Sequence, residues 1–329
     1  MNALYEGLTL GKATRDAYGE ALRELGEQHP DIVVLDADLA KSTKSYAFGE
    51  ACPDRFFNVG IQEANMVGMA GGFAASGRVP FISSFACFVI LKGFDQLRMA
   101  VSYPRLNVKV TGSHGGISVG PDGVSQQSVE DISLACSLPH FVVCVPADEH
   151  EMRAAVKAAY AHDGPVYLRS TRPRSPLIYD AQPSNFSFGK ASIVRDGGDA
   201  TVIANGLLVG AALLAHERLR QEGVSLRVVN MATVKPLDED AVARAARETG
   251  AIVTAEEHLL HGGLGARVAQ AVARLQPVPM EFVGLDDTYA ESGEPEALMR
   301  KYGLTADDVV AAVHRVLARK AGEPARQSA

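Results

Sequence analysis

The sequence predicts an α/β fold built as two doubly wound units. Three observations carry that prediction. Short apolar runs of β type alternate with longer stretches of helical spacing along most of the chain, the pattern of a mostly parallel sheet with helices on both faces. The first such run, "DIVVLDADL" (31–39), ends in carboxylates, as a buried parallel strand does where its C-terminal end opens onto a site. A proline-rich stretch, "TRPRSPLIYDAQPSNFSFG" (171–189), splits the alternation into two series and reads as a linker. The chain has 329 residues and domains run to ~100–200. The expected organisation is a first unit over 1–178, a linker over 179–189, a smaller second unit over 190–318 and a disordered polar tail over 319–329.

In order, residues 12–28 place Ala13, Ala17, Ala21, Leu22 and Leu25 on one helical face. After the 31–39 strand, residues 62–76 read as a helix of small and apolar residues whose one charge is Glu63. "VPFISSF" (79–85) is the next strand, 92–103 a helix that Pro104 ends, and "NVKVTGS" (107–113) a strand. "HGGISVGPDG" (114–123) is a glycine-rich loop. A helix near 128–137, a strand at 141–146, a helix at 148–161 and a strand at 165–170 complete the first series. The second series has strands at 200–205, 225–230, 251–257 and 280–285. Helices lie at 211–221 and 237–248, a third starts at Gly265, and two more close the chain.

Composition narrows the function. The net charge is −7 with no basic block, which argues against nucleic acid or an anionic membrane surface as the main partner. No apolar run reaches the ~18 residues of a membrane helix, and the first residues lack the basic and apolar regions of a signal peptide. A cytoplasmic protein is expected. The 4 cysteines are irregularly spaced without C-x-x-C, so they read as packing residues.

The candidate residues follow from chemistry. Glu63 heads an apolar helix, so its carboxylate is expected at a buried edge beside a partner that offsets desolvation. Glycines at 68, 71 and 72 each cost ~1 kcal/mol of helix propensity, tolerable where backbones approach closely. Phe85, Phe88 and Phe94 cluster where a strand meets a helix, as core or as a wall for a flat heterocycle. In the 114–123 loop, His114 and Asp122 are polar tips and the glycines allow close approach to a ligand. Arg169, Arg172 and Arg174 leave a strand end, where guanidinium suits phosphate or carboxylate; Arg169 and Arg174 are expected to pair with surface acids. Glu256, Glu257, His258 and His261 have metal-like spacing but read better as an interdomain or subunit contact.

Read together, "LDADLAKST", "FFNVGIQEANMVGMAGG", "SSFACFVILKGFDQLRMA", "GSHGGISVGPDGVSQQSVED" and "YLRSTRPRSPLIY" resemble the pyrimidine-binding domain of transketolases. "TVKPLDED", "EEHLLHGGLG" and "ESGEPEALMRKYGL" resemble its C-terminal domain. The resemblance runs from about residue 5 to 317 and rests on several motifs in order. It implies thiamine diphosphate as cofactor. The family's glutamate at the Glu63 position hydrogen-bonds the aminopyrimidine ring nitrogen and so helps remove the thiazolium proton. Phe85 and Phe88 match the aromatic wall around the pyrimidine, while Leu91 stands where some members have a further aromatic. Asp38 matches an acid at the cofactor site. Ser42, His114 and Arg172 match sugar-phosphate binders, and Asp122 matches a carboxylate that bonds a substrate hydroxyl. Gln126 stands where many members carry a cofactor-site histidine and animal-type members a glutamine.

One departure is large. The G-D-G motif with an Asn-rich turn, which holds the diphosphate through a metal, is not found in the sequence. The resemblance therefore implies the C-terminal subunit of a split transketolase. An N-terminal subunit would supply the diphosphate site and the Mg or Ca ligands in an α2β2 assembly acting on sugar phosphates. Two alternatives stand beside it. One is keto acid decarboxylation by a 1-deoxyxylulose-5-phosphate synthase-like or 2-oxo acid dehydrogenase beta-type subunit; the other is a non-enzymatic partner-binding module.

Overall fold

A computed structural model of the chain describes residues 1 and 3–322. Its strands are β1 (Leu10–Ala13), β2 (Ile32–Asp36), β3 (Phe56–Asn58), β4 (Val79–Phe85), β5 (Lys109–Ser113), β6 (Val142–Cys144), β7 (Val166–Arg169) and β8 (Arg174–Pro176), then β9 (Ser192–Arg195), β10 (Ala200–Ala204), β11 (Leu226–Asn230), β12 (Thr233–Lys235), β13 (Ile252–Leu259) and β14 (Met280–Leu285). The first sheet has seven strands in the order β12-β6-β7-β5-β4-β2-β3, and the second has five, β14-β13-β10-β11-β9. Each is parallel except at one edge, where β12 runs antiparallel to β6 and β9 to β11. Helices cover both sheets, as the alternation predicts.

β2 shows why. Ile-Val-Val-Leu offers apolar side chains to both faces, and every residue of the strand is buried. Asp36 ends it. Its Oδ1 accepts from Leu39 N at 2.6 Å, and its Oδ2 accepts from Thr43 Oγ1 and Ser45 Oγ at 2.8 Å each. Burial raises its pKa, and the three bonds fix the turn that carries Asp38 and Ser42.

Five short strands, β1, β3, β8, β9 and β12, have no counterpart among the expected ones. β1 pairs with β8, so the opening of the proline-rich stretch is strand rather than loop. β12 lies within the second series yet joins the first sheet, with Thr233 opposite Cys144 and Lys235 opposite Val143. One apolar cluster accordingly runs across both units, from Ile82, Val110 and Val143 to Met231, Val234 and Leu264. The expected tail falls on the end of the Ala306–Lys320 helix and on residues 323–329, which lie outside the described residues. Among the described residues no helix is long and apolar enough to cross a membrane.

The helix predicted at 62–76 is Glu63–Ala75, and it is not buried all round. Glu63, Met66, Val67, Ala70 and Gly71 face inward, while Asn65, Gly68 and Gly72 are exposed. A Cβ on Gly71 would lie 2.7 Å from the Ala100 carbonyl, whereas Gly68 and Gly72 have open space beside them. Only Gly71 among these is required for close packing within the chain.

Glu151 joins the two units. Its Oε2 accepts from Ala147 N at 2.7 Å, and its Oε1 accepts from Asn230 Nδ2 at 2.8 Å. Burial pushes its carboxyl up to about 7 from the ordinary 4.5. Between those values the folded chain holds a proton that the unfolded chain has released, so this group's contribution falls as pH rises through that window. Glu151→Gln removes the titration, and Asn230 can turn its unpartnered Oδ1 toward the new amide. Thermal melts of the full chain at pH 5 and pH 8 are expected to show a smaller loss for the variant than for the wild type. An unchanged pH slope would contradict the assignment.

Candidate active site

Strand ends of the first sheet meet the 114–123 loop, with an acidic, aromatic group of residues on one side of His114 and a basic group on the other. Glu63 is 2% exposed at the head of its helix. Ser84 Oγ, at the end of β4, donates to its Oε1 at 3.1 Å. Its Oε2 is left to Lys92 Nζ at 3.6 Å, beyond good hydrogen-bond length. Lys92 also sits 4.2 Å from the Phe88 ring centroid.

The helix predicted at 92–103 begins earlier, with wide π turns at Phe88–Lys92 and Leu97–Ser102 around a short α segment. Phe88 and Lys92 therefore ride one helix, and Gly93 packs against Val67, where a Cβ would lie 3.0 Å from Cγ2. Phe85 stacks on Phe88 at 5.5 Å between centroids and on His114 at 3.9 Å. Leu91 is 49% exposed. Phe94 packs on the apolar core instead.

His114 joins the two ends. Its backbone is left-handed at φ 61, and the ring is buried. Arg15 Nη1 lies 3.2 Å from His114 Nε2, and Ser113 Oγ lies 2.8 Å from Nδ1. Arginine only donates, so Nε2 accepts and Nδ1–H donates to Ser113. Desolvation, followed by the charges of Arg15, Arg172 and Lys44, lowers the imidazole to about 3. Arg15 Nη1 also donates to Ser42 O at 3.1 Å, and Arg172 Nη1 donates to Val119 O at 2.6 Å. Burial lowers the pKa of Arg15, with Asp16 opposing, and the nearby Arg172 and Asp122 charges also act on it. Arg15, Ser42, His114, Arg172 and the exposed Asp122 thus gather at the basic end.

Two predicted residues sit at the margin. Asp38 is exposed with φ 64 and accepts from Asn58 Nδ2 at 3.0 Å, in a shallow cleft shared with Ser42. Gln126 receives a bond from Ser125 Oγ, and its carbonyl lies 3.3 Å from Cys87 Sγ. Nothing in the sequence singles out Arg15, Ser84, Asn58 or Lys92. Each is of a type common on any strand end or helix face, and only the fold brings them here.

Other expectations are corrected. Arg169 pairs with no surface acid: it is 3% exposed, and its Nε lies 3.1 Å from Asp131 Oδ2. Arg174 Nε donates to Gly11 O at 2.7 Å rather than to an acid. The loop glycines make room for protein rather than for a ligand. Added Cβ atoms on Gly115, Gly116, Gly120 and Gly123 would lie 2.0 Å from Arg169, 2.2 Å from Glu257, 2.9 Å from Pro295 and 2.4 Å from Ser292. Glu256 accepts from Leu264 N and Gly265 N at 2.7 Å each, capping a helix start.

The fold and site define a doubly wound α/β protein in which a buried acid and a stack of aromatic rings stand beside a cluster of arginines. This chain belongs to the transketolase family. The family model for the transketolase pyrimidine-binding domain matches residues 11–176, and that for the transketolase C-terminal domain matches 189–309. The chain is 43% identical to a 6-deoxy-6-sulfo-D-fructose transketolase subunit of Clostridium sp. (strain MSTE9), covering 93% of this chain and 95% of that protein. It is 34% identical to one subunit of the apulose-4-phosphate transketolase of Phocaeicola vulgatus, over 90% of this chain and 95% of that one. Human transketolase is 37% identical over 93% of this chain, which spans 49% of that protein. A solved split-gene transketolase, described as an inactive beta4 tetramer, superposes with TM-score 0.88 at 46% identity, covering 94% of this chain and 100% of that one.

The geometry makes a direct prediction for His114. Its ring is expected to stay neutral down to about pH 3, with the proton on Nδ1. Long-range 1H–15N NMR of the chain at pH 5 is expected to show a neutral imidazole of that tautomer whose signals are lost in His114→Asn. A His114 ring that is protonated at pH 5 would refute the arrangement.

Proposed function

We propose that this chain is the C-terminal subunit of a split, thiamine diphosphate-dependent transketolase. It would transfer a two-carbon ketol unit from a ketose phosphate to an aldose phosphate, and be active only with an N-terminal subunit. One observation carries the reading: a path of contacts from a buried acid (Glu63) by way of Lys92 through stacked rings (Phe88, Phe85, His114) to Arg15.

The residues fit the aminopyrimidine half of that cofactor. Glu63 has one oxygen anchored by Ser84 and the other short of a close partner, so it can share a proton with a ring nitrogen. Phe85 and Phe88 offer a flat apolar wall. Asp38, in the turn after β2, and Gln126, whose carbonyl faces Cys87 beside Phe88, are the other residues proposed to meet the cofactor. When bound, thiamine diphosphate supplies the carbon nucleophile and the electron sink. The diphosphate and a Mg or Ca ion fall to the partner, in an α2β2 assembly.

The basic end suits the anionic tail of a sugar. Arg15 and Arg172 can grip a phosphate, with Ser42 beside them. Neutral His114 holds its Nε2 lone pair toward that corner, so it can accept a hydrogen bond from a sugar hydroxyl if Arg15 swings to the anion. Asp122 can bond a further hydroxyl. Two of the relatives are named for sugars that carry a sulfo or a phosphate group, 6-deoxy-6-sulfo-D-fructose and apulose-4-phosphate. Two arginines favour such substrates over a short keto acid.

The purified chain alone is expected to show no thiamine-dependent turnover of xylulose 5-phosphate with ribose 5-phosphate, and added N-terminal subunit to restore it. Full activity of the chain alone would end the split-subunit reading. Glu63→Gln in the reconstituted enzyme is expected to lower kcat by ~100-fold or more while the subunits still co-elute. Arg15→Ala and Arg172→Ala are each expected to raise KM for phosphorylated ketoses by ~10-fold. An unphosphorylated donor should change less, and equal losses for both donors would remove the arginines from tail recognition.

A further inference from the structure

The second unit reaches into the loop that carries His114 and Asp122. Glu257, on β13, is 3% exposed. Its Oε1 accepts from the Ser118 backbone N–H at 2.6 Å, and its Oε2 accepts from Ser118 Oγ at 3.3 Å. The loop is shaped around this carboxylate. Gly116 has φ +85, and a Cβ there would lie 2.2 Å from both the carboxylate carbon and Oε1. On its other side Gly116 N donates to Ser128 O at 2.7 Å. Arg169 closes the frame, with Nη1 donating to the Glu257 carbonyl and Nη2 to the Ser128 carbonyl, each at 2.9 Å.

Gly115 N and Gly116 N are held by the first unit, at Ser170 O and Ser128 O, whereas Ser118 N is held by Glu257 of the second. Glycine backbone at positive φ is entropically costly to fix, and a buried Ser118 N–H without its acceptor costs ~1–3 kcal/mol. Both are met by one side chain from the other unit.

We propose that Glu257 is a positioning residue. Through Ser118 it holds the 114–118 backbone so that His114 stays stacked on Phe85 and in reach of Arg15, which gives the second unit a direct part in presenting the substrate groups. The inference rests on the proposed function for what the loop does, and on geometry alone for how it is held.

The test uses the full chain and the reconstituted enzyme with Glu257→Gln and Glu257→Ala. In the full chain, hydrogen exchange at amides 115–119 is expected to quicken by ~10-fold in Glu257→Ala. Glu257→Gln, which keeps one acceptor oxygen, should show a smaller rise. Exchange in strand β10 should stay near wild type, and the melting temperature should fall more in Glu257→Ala than in Glu257→Gln. In the reconstituted enzyme KM for xylulose 5-phosphate should rise more than kcat falls, graded in the same order. If Glu257→Ala fails to fold, Glu257→Gln carries the test. Unchanged loop exchange in the folded variants, or loss of protection spread evenly through the second unit, would overturn the proposal. Quickened loop exchange in an enzyme whose wild type does not turn over ketose phosphates would support the clamp and overturn only the reaction.

Discussion

The structure turns on a buried guanidinium. Arg169 ends β7 and meets Asp131, which in turn accepts from Tyr167 OH at 2.6 Å. Burial opposes its charge, but Asp131 and Glu257 hold its pKa above the ordinary value. Removing one partner from such a pair leaves an uncompensated charge indoors, so the members fix each other's positions. First sheet, loop and second unit meet at this one point. Its value is geometric: a rigid fork whose Nη1 and Nη2 donate to Glu257 O and Ser128 O while Nε faces Asp131 ties a strand, a helix start and a loop into a single arrangement.

From that node outward the site sorts by polarity. One end is nearly dry, with a single acid facing stacked rings. The other gathers cations, and His114 stands between them with its charge suppressed by burial and by those same cations. An imidazole kept neutral can accept a hydrogen bond at Nε2 at physiological pH, and a buried carboxylate can share a proton with a ring nitrogen. The two ends thus suit two parts of one reaction, a heterocycle and an anion-tailed sugar, and the turn held by Asp36 keeps Ser42 at the seam.

Much of this is legible in the sequence, and the limits are physical. Continuous apolar runs such as that of β2 identify buried parallel strands because both faces need apolar cover. β12 has only three residues, and its pairing depends on an edge more than eighty positions earlier, which local pattern does not encode. Glu63 is legible because a charge heading an apolar helix is unusual. Arg15 is not, since arginine on a helix surface is ordinary. The loop glycines are visible as a demand for close approach, but sequence does not say what approaches: here it is Glu257, Arg169, Ser292 and Pro295. Glu257 reads from sequence as a contact residue, which it is, and its reach into the substrate loop appears only once β13 is placed.

The strand shared between the units bears on engineering. A chimera joined at the proline-rich seam would insert one parent's β12 against the other parent's β6, and a fragment cut there would bare a β6 edge ready to pair with foreign chains. Swapping specificity between relatives therefore calls for grafting within the first sheet's turns, with everything from β12 onward kept from the same parent as β6.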